Sequence, residues 1–166
     1  VFIPLYQQNV AGYIEVINTF LIIIIIPAFA FLLQGGELHR LVILLTFPIS
    51  LLFIAQQIAL SLKNYGDEMK YGARTLLGRL GWRQGMNLHN ILILVSYLFI
   101  AFETLFGLSW DIAWRLLLTL PLGLYQLWQI LRLAAGGKPN WKLLDLNARA
   151  TLGVTAYLAV LIMWIV

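Results

Sequence analysis

Five stretches of this chain are apolar on every side of a helix for close to twenty residues, and polar residues gather between them. We read the stretches as Glu15 to Leu33, Leu41 to Leu62, Asn90 to Leu108, Ile112 to Ala134 and Arg149 to Val166. A helix rising about 1.5 Å per residue needs roughly 20 residues to cross about 30 Å of hydrocarbon, so each run is long enough to span a bilayer. Membrane strands alternate between lipid and lumen with a period of two. The run Leu21-Ile22-Ile23-Ile24-Ile25-Ile26 is continuously apolar, which excludes a barrel and predicts an all-α, multi-pass transmembrane helical bundle. Pro27, Pro48 and Pro121 fall inside the runs, where each is expected to kink its helix while neighbouring helices satisfy the freed carbonyl.

Composition agrees. Hydrophobic residues make up 61% of the 166 positions and charged residues only 11%, at a mean hydropathy of +0.88. A water-soluble domain of that composition would lack the polar residues to cover its surface, so lipid must do it. With no cysteine, disulfides, thiolate metal sites and a cysteine nucleophile are excluded.

The net charge of +4 is unevenly placed. Lys63, Lys70, Arg74, Arg79 and Arg83 lie between the second and third spans. Arg132, Lys138, Lys142 and Arg149 lie at or between the ends of the fourth and fifth. The other two loops carry Arg40 beside Glu37, and Asp111 before Arg115. By the positive-inside rule the two basic loops, including 63–83, are cytoplasmic, in a multi-pass protein of the cell membrane whose N-terminus is inside and C-terminus outside. The basic balance then needs no nucleic-acid partner. The chain opens on Val1, without a basic leader or small-residue cleavage site, and is expected to be a fragment of a longer protein.

One segment concentrates chemistry: Lys63-Asn64-Tyr65-Gly66-Asp67-Glu68-Met69-Lys70-Tyr71-Gly72-Ala73-Arg74-Thr75-Leu76. If the second helix continues through it, Asn64, Asp67 and Glu68 stand at i, i+3 and i+4 and present three oxygen-bearing side chains on one face. That set suits Mg²⁺, which commonly takes one or two carboxylates while substrate phosphates and waters complete the octahedron. Lys70 and Arg74, one and two turns further along, are placed to hold a phosphate bound to that metal, with Lys63 as a third cation. Charged loops between membrane helices are ordinarily only solvated, however, and such spacings also give routine surface pairs. Spacing alone leaves both readings open.

The order of residues goes further. Asn64 through Gly81 resembles the second aspartate-rich motif of the UbiA superfamily of membrane prenyltransferases. Asp67-Glu68 fall on the paired acidic positions, Gly72 on the glycine, Arg74-Thr75-Leu76 on the basic-threonine-leucine step and Leu80-Gly81 on the closing pair. Upstream, Gly12-Tyr13-Ile14-Glu15 before an aliphatic run with a proline resembles the entry to the fifth helix in the MenA branch, which prenylates dihydroxynaphthoate. The resemblance implies that the spans correspond to helices five to nine of a nine-helix enzyme. It also implies Mg²⁺-dependent transfer of an isoprenyl group from its diphosphate to an aromatic acceptor, as in menaquinone or related quinone biosynthesis. Asp67, Glu68 and Asn64 would hold metal, with Lys70, Arg74 and Lys63 on the diphosphate. Asn64 and Glu68 stand where the family usually carries aspartate, and no first aspartate-rich motif occurs in these residues. The chain is therefore expected to be the C-terminal part of the enzyme, inactive without its N-terminal half. Competing readings are a transport or ion-binding module, which usually places such groups near the midplane, and a non-catalytic membrane scaffold.

Other polar positions have two readings each. Glu15, with Asn18 a turn later, either faces a cavity and orients the acceptor or caps at the interface. Gln56 and Gln57 are expected to bond helix to helix, Glu103 to sit at the outer interface, and His39 and His89 to lie near opposite membrane faces without forming a metal pair. Tyr97, Tyr125, Trp128 and Tyr157 are candidates for an aromatic cavity wall, although packing and belt positions are the commoner use of such rings.

Overall fold

The structure, a computed structural model, describes residues 13–35, 40–71 and 75–165, and these contain helices and no strand. Helix α1 (Ile14–Thr19) runs through a π-helical segment (Phe20–Ile25) into α2 (Ile26–Gly35). Pro27 follows that wider turn. It has no N–H for the carbonyl four residues back, a common setting for a local departure from the α ladder. Next come the long α3 (Arg40–Tyr71), the short α4 (Leu76–Leu80), α5 (Trp82–Phe102) with a 3₁₀ turn (Glu103–Phe106), α6 (Trp110–Leu117), α7 (Leu120–Ala134) and α8 (Trp141–Ile165).

Among the described residues, five stretches are long and apolar enough to cross a membrane: Ile14–Gln34, Val42–Lys70, Trp82–Leu105, Trp110–Ala134 and Trp141–Met163. They mark the chain as a membrane protein, and the expected number of spans is found. Two starts differ. The third and fifth helices begin at Trp82 and Trp141, each eight residues before the expected Asn90 and Arg149. Their polar first turns read as loop, yet a helix satisfies its own backbone and can run on beyond the apolar layer.

Helix α3 is the axis of the bundle, packed chiefly against α5 and α8. Leu45, Leu52, Ile93, Ile100, Leu116 and Ile162 form one buried cluster along it. Ile58, Leu62, Leu77, Met86, Ile130 and Leu144 form a second, at the end that carries the polar segment. The first span rests on α3 but leaves most of its side chains exposed, including Phe20, Ile26, Phe29 and Leu33.

The prolines act differently from one another. At Pro48, inside α3, the Ser96 hydroxyl of α5 donates to the proline's own carbonyl at 2.9 Å. At Pro121 the expected kink is a break: α6 stops at Leu117 and α7 restarts at Leu120, with the proline in its first turn. Backbone left unpaired at such a break must be satisfied inside the protein. Thr119 sits there, buried, with its hydroxyl on the Leu116 carbonyl at 2.7 Å. The Tyr97 hydroxyl donates to the Thr119 carbonyl at 2.9 Å, and Thr155 of α8 reaches the Thr119 hydroxyl at 2.9 Å. Three spans are joined at this point.

Candidate functional site

Helix α3 continues through Tyr71, so Asn64, Asp67 and Glu68 do share a helical surface on its last two turns. Asn64 and Asp67 are exposed and Glu68 is half-buried. At about 100° per residue, Lys70 stands roughly 60° from Asp67 and roughly 160° from Glu68, so it flanks the aspartate alone. Lys70 and Lys63 are exposed. Arg74 and Gly72 lie outside the described residues, as do Gly12 and His39.

The threonine of the segment has a definite structural task. Thr75 is the N-cap of α4: its hydroxyl accepts from the Gly78 N–H at 3.0 Å and donates to Glu68 Oε2 at 2.7 Å. The next unpaired amide, of Leu76, donates to Glu15 Oε2 at 3.0 Å. Two carboxylates from different spans therefore converge on the first turn of α4, where the N–H groups lack helical partners and negative charge is favoured. Glu15 lies within electrostatic reach of Glu68. It thus acts as a cap, on a helix 61 residues away in sequence rather than on its own. Beside it Arg79 stacks over the Tyr13 ring, 4.7 Å from the centroid. Gly81 ends α4 at φ +79°, a left-handed conformation that glycine takes without strain, and α5 starts at once. Tyr65 and Trp82 pack across this corner with centroids 5.4 Å apart.

Toward α8, Lys63 and Asn64 line a cleft of about 200 Å³ with Trp141, Asp145 and Arg149. Arg149 pairs with Asp145 at 2.7 Å along that helix. What sequence spacing missed here are the roles of Tyr13, Thr75 and Arg79 and the wall contributed by α8. The contacts of Tyr13 and of the α8 wall with the segment are tertiary, and local patterns carry no signal for them.

As a magnesium site the donor set is suitable in kind. It offers hard oxygen ligands, with Asp67 open to solvent and one Glu68 oxygen left over from Thr75. Among the described residues no group of three or more His, Asp or Glu side chains could hold a metal ion, so any ion would need further ligands.

The remaining candidates separate clearly. Glu103, close to the end of the third span, is not solvent-exposed there: it is 1% exposed, and neither carboxylate oxygen has a hydrogen-bond partner. The 3₁₀ turn at the end of α5 folds it inward, a tertiary effect that its sequence position near a span end does not reveal. His89 lies two turns inside α5 and is fully buried. Its Nε2 lies 2.9 Å from Gln126 Nε2 and its Nδ1 3.1 Å from Asn90 Oδ1, contacts that suit a neutral imidazole with its proton on Nδ1. Tyr97 is buried at the Thr119 junction, Tyr157 is exposed on the apolar surface, and Gln56 and Gln57 are half-buried on α3. Tyr125 and Trp128 stack at 5.6 Å on the surface of α7.

Comparison of the chain with protein-family models, curated proteins and solved structures gives no match.

Proposed function

We propose that the chain is the C-terminal part of a magnesium-dependent membrane prenyltransferase of the UbiA type, nearest in its motifs to the MenA branch. The observation that carries this reading is the meeting of the two segments that resemble the family. Glu15 caps Leu76 and Tyr13 stacks on Arg79, so the Tyr13–Glu15 entry and the Asn64–Gly81 motif form one polar corner at a bundle end.

Asp67, the free oxygen of Glu68 and Asn64 would hold magnesium, which when bound supplies positive charge for a departing diphosphate. Lys70, flanking Asp67, is placed for a phosphate oxygen, as is Lys63 beside Asn64, and Arg74 follows in sequence. Thr75 and Leu76, held by Glu68 and Glu15, fix the acidic turn against α4, which keeps these groups oriented. The apolar flanks of the spans suit a prenyl tail. This reading places the corner on the cytoplasmic face and assigns the other metal-binding carboxylates to further residues of the same protein, which also complete a nine-helix bundle.

The transport reading has one observation in its favour, the break at Leu118–Thr119, since broken spans build many transporter sites. Here, however, Tyr97 and Thr155 close the break.

Membranes of cells expressing the open reading frame that contains this chain test the proposal. They should transfer a radiolabelled prenyl group from its diphosphate to dihydroxynaphthoate or another aromatic acceptor, in a Mg²⁺-dependent way and without activity in Asp67→Ala. No transfer to any acceptor, with the protein present at wild-type level, overturns it.

A further inference from the structure

A second polar cavity, of about 180 Å³, lies between the end of α7 and the start of α8. Its walls include Tyr125, Trp128, Arg132, Lys138 and Asn140, and no carboxylate lines it. The turn that shapes it is a Schellman motif: the Gly137 amide bonds the Arg132 carbonyl at 2.9 Å and the Gly136 amide bonds the Leu133 carbonyl at 3.0 Å. Gly136 takes φ +84°. A Cβ at Gly137 would come within 2.8 Å of the Arg132 carbonyl, so two glycines are needed to fold Lys138 back toward Arg132.

Both cations lack a carboxylate partner among the described residues. Arg132 lies over the Trp128 ring, 5.4 Å from its centroid, and Trp128 stacks in turn on Tyr125. The guanidinium is thus held by an aromatic face while its N–H edge stays available. Asn140, which also lines the cavity, caps α8 by accepting from the Leu143 amide at 3.2 Å. Two cations without a carboxylate partner, one of them a guanidinium held against an aromatic face, are a receptor for phosphate oxygens. Position decides the source. The cavity lies between the end of the Trp110–Ala134 span and the start of the Trp141–Met163 span, and Leu133 and Leu143 line it beside the two cations, so a ligand seated there meets an apolar surface as well.

We propose that this cavity binds the phosphate headgroup of an anionic phospholipid. The site is separate from the Asp67 corner and holds whether or not the chain transfers prenyl groups.

The test uses the protein in phosphatidylcholine nanodiscs titrated with phosphatidylglycerol, with binding read by native mass spectrometry. Arg132→Gln/Lys138→Gln should weaken binding by at least about thirtyfold, as the loss of two charge-assisted hydrogen bonds to one phosphate implies. Arg83→Gln/Lys142→Gln removes the same charge outside the cavity and should weaken binding by several-fold less, since only screened, non-contacting surface attraction is lost. Arg132→Lys/Lys138→Arg should restore most of it, which separates the site from misfolding. Equal loss in both charge-removing variants overturns the proposal. So does competition by millimolar inorganic phosphate, which would make the cavity a free-anion site.

Discussion

Gly123 of α7 packs directly against the Tyr97 ring of α5, and replacing it with alanine puts two effects in opposition. Alanine is the better helix former by about 1 kcal/mol, so propensity alone predicts a stabilised protein. A Cβ at this position would stand 2.3 Å from Tyr97 Cε2 and 3.0 Å from Cζ. Carbon atoms in contact settle at about 3.5 Å, so the ring must retreat by roughly 1.2 Å. Such a retreat takes its hydroxyl off the Thr119 carbonyl, now at 2.9 Å. Overpacking of a rigid ring costs about 1–3 kcal/mol and the lost hydrogen bond about 1 kcal/mol, leaving a net destabilisation of roughly 1–3 kcal/mol. Unfolding in mixed detergent and SDS micelles, followed by circular dichroism, measures it. Tyr97→Phe, which keeps the ring, should cost about 1 kcal/mol. In Gly123→Ala/Tyr97→Leu the smaller side chain makes room, and the double-mutant cycle should show a favourable coupling of at least about 1 kcal/mol. If Gly123→Ala instead stabilises the protein by the propensity increment, the ring is not seated on residue 123 and the junction at the broken span is wrongly assigned.

Other expectations rest on single residues. Glu103→Met removes a buried carboxyl that has no partner and should raise stability by about 1–3 kcal/mol; a clear loss in the same micelle titration would mean that the carboxyl is satisfied. Thr75→Val removes the cap of α4 and the contact to Glu68, at about 1 kcal/mol. Hydrogen exchange at Leu76–Leu80 should accelerate while the amides of α5 keep their protection, and unchanged exchange would deny the cap. Asp67→Ala alters an exposed side chain, so its melting temperature should stay within the error of wild type while Mg²⁺-dependent transfer is lost; a large fall in stability would make Asp67 a structural residue.

How far these features can be read in advance depends on the range of the interactions that create them. The spans are local properties of composition and are legible from the chain, whereas the helical continuity that aligns Asn64, Asp67 and Glu68 is legible only as a condition, since the apolar run ends at Leu62 and the helix runs on to Tyr71. The early starts at Trp82 and Trp141 are not legible. Arg83, Gln84, Asn87 and His89 look like a loop until the bundle supplies Gln126, 37 residues on, as a partner for the histidine. Glu15 is legible as an unusual charge at a span entrance, but its role as the cap of Leu76 exists only once α1 lies beside α4.

The same distinction orders the polar groups inside the spans. An intramembrane polar residue is a functional candidate because its burial is costly, and that cost is relieved when the structure gives it a partner. Ser96 on the Pro48 carbonyl, Asn147 on the Leu122 carbonyl and the Tyr97–Thr119–Thr155 junction are relieved, and bonds between helices account for their presence. Glu103 and the Gln126 carbonyl oxygen are buried without a partner. Gln126 already uses its amide nitrogen on His89, so half of its side chain is explained. Glu103 has no such contact from either oxygen. Packing explains the first group and leaves Glu103, among the described residues, as the polar side chain within a span whose burial is least offset. For that reason the Glu103→Met measurement bears on function as well as stability: a variant that is more stable but loses activity would identify a carboxyl kept against its structural cost.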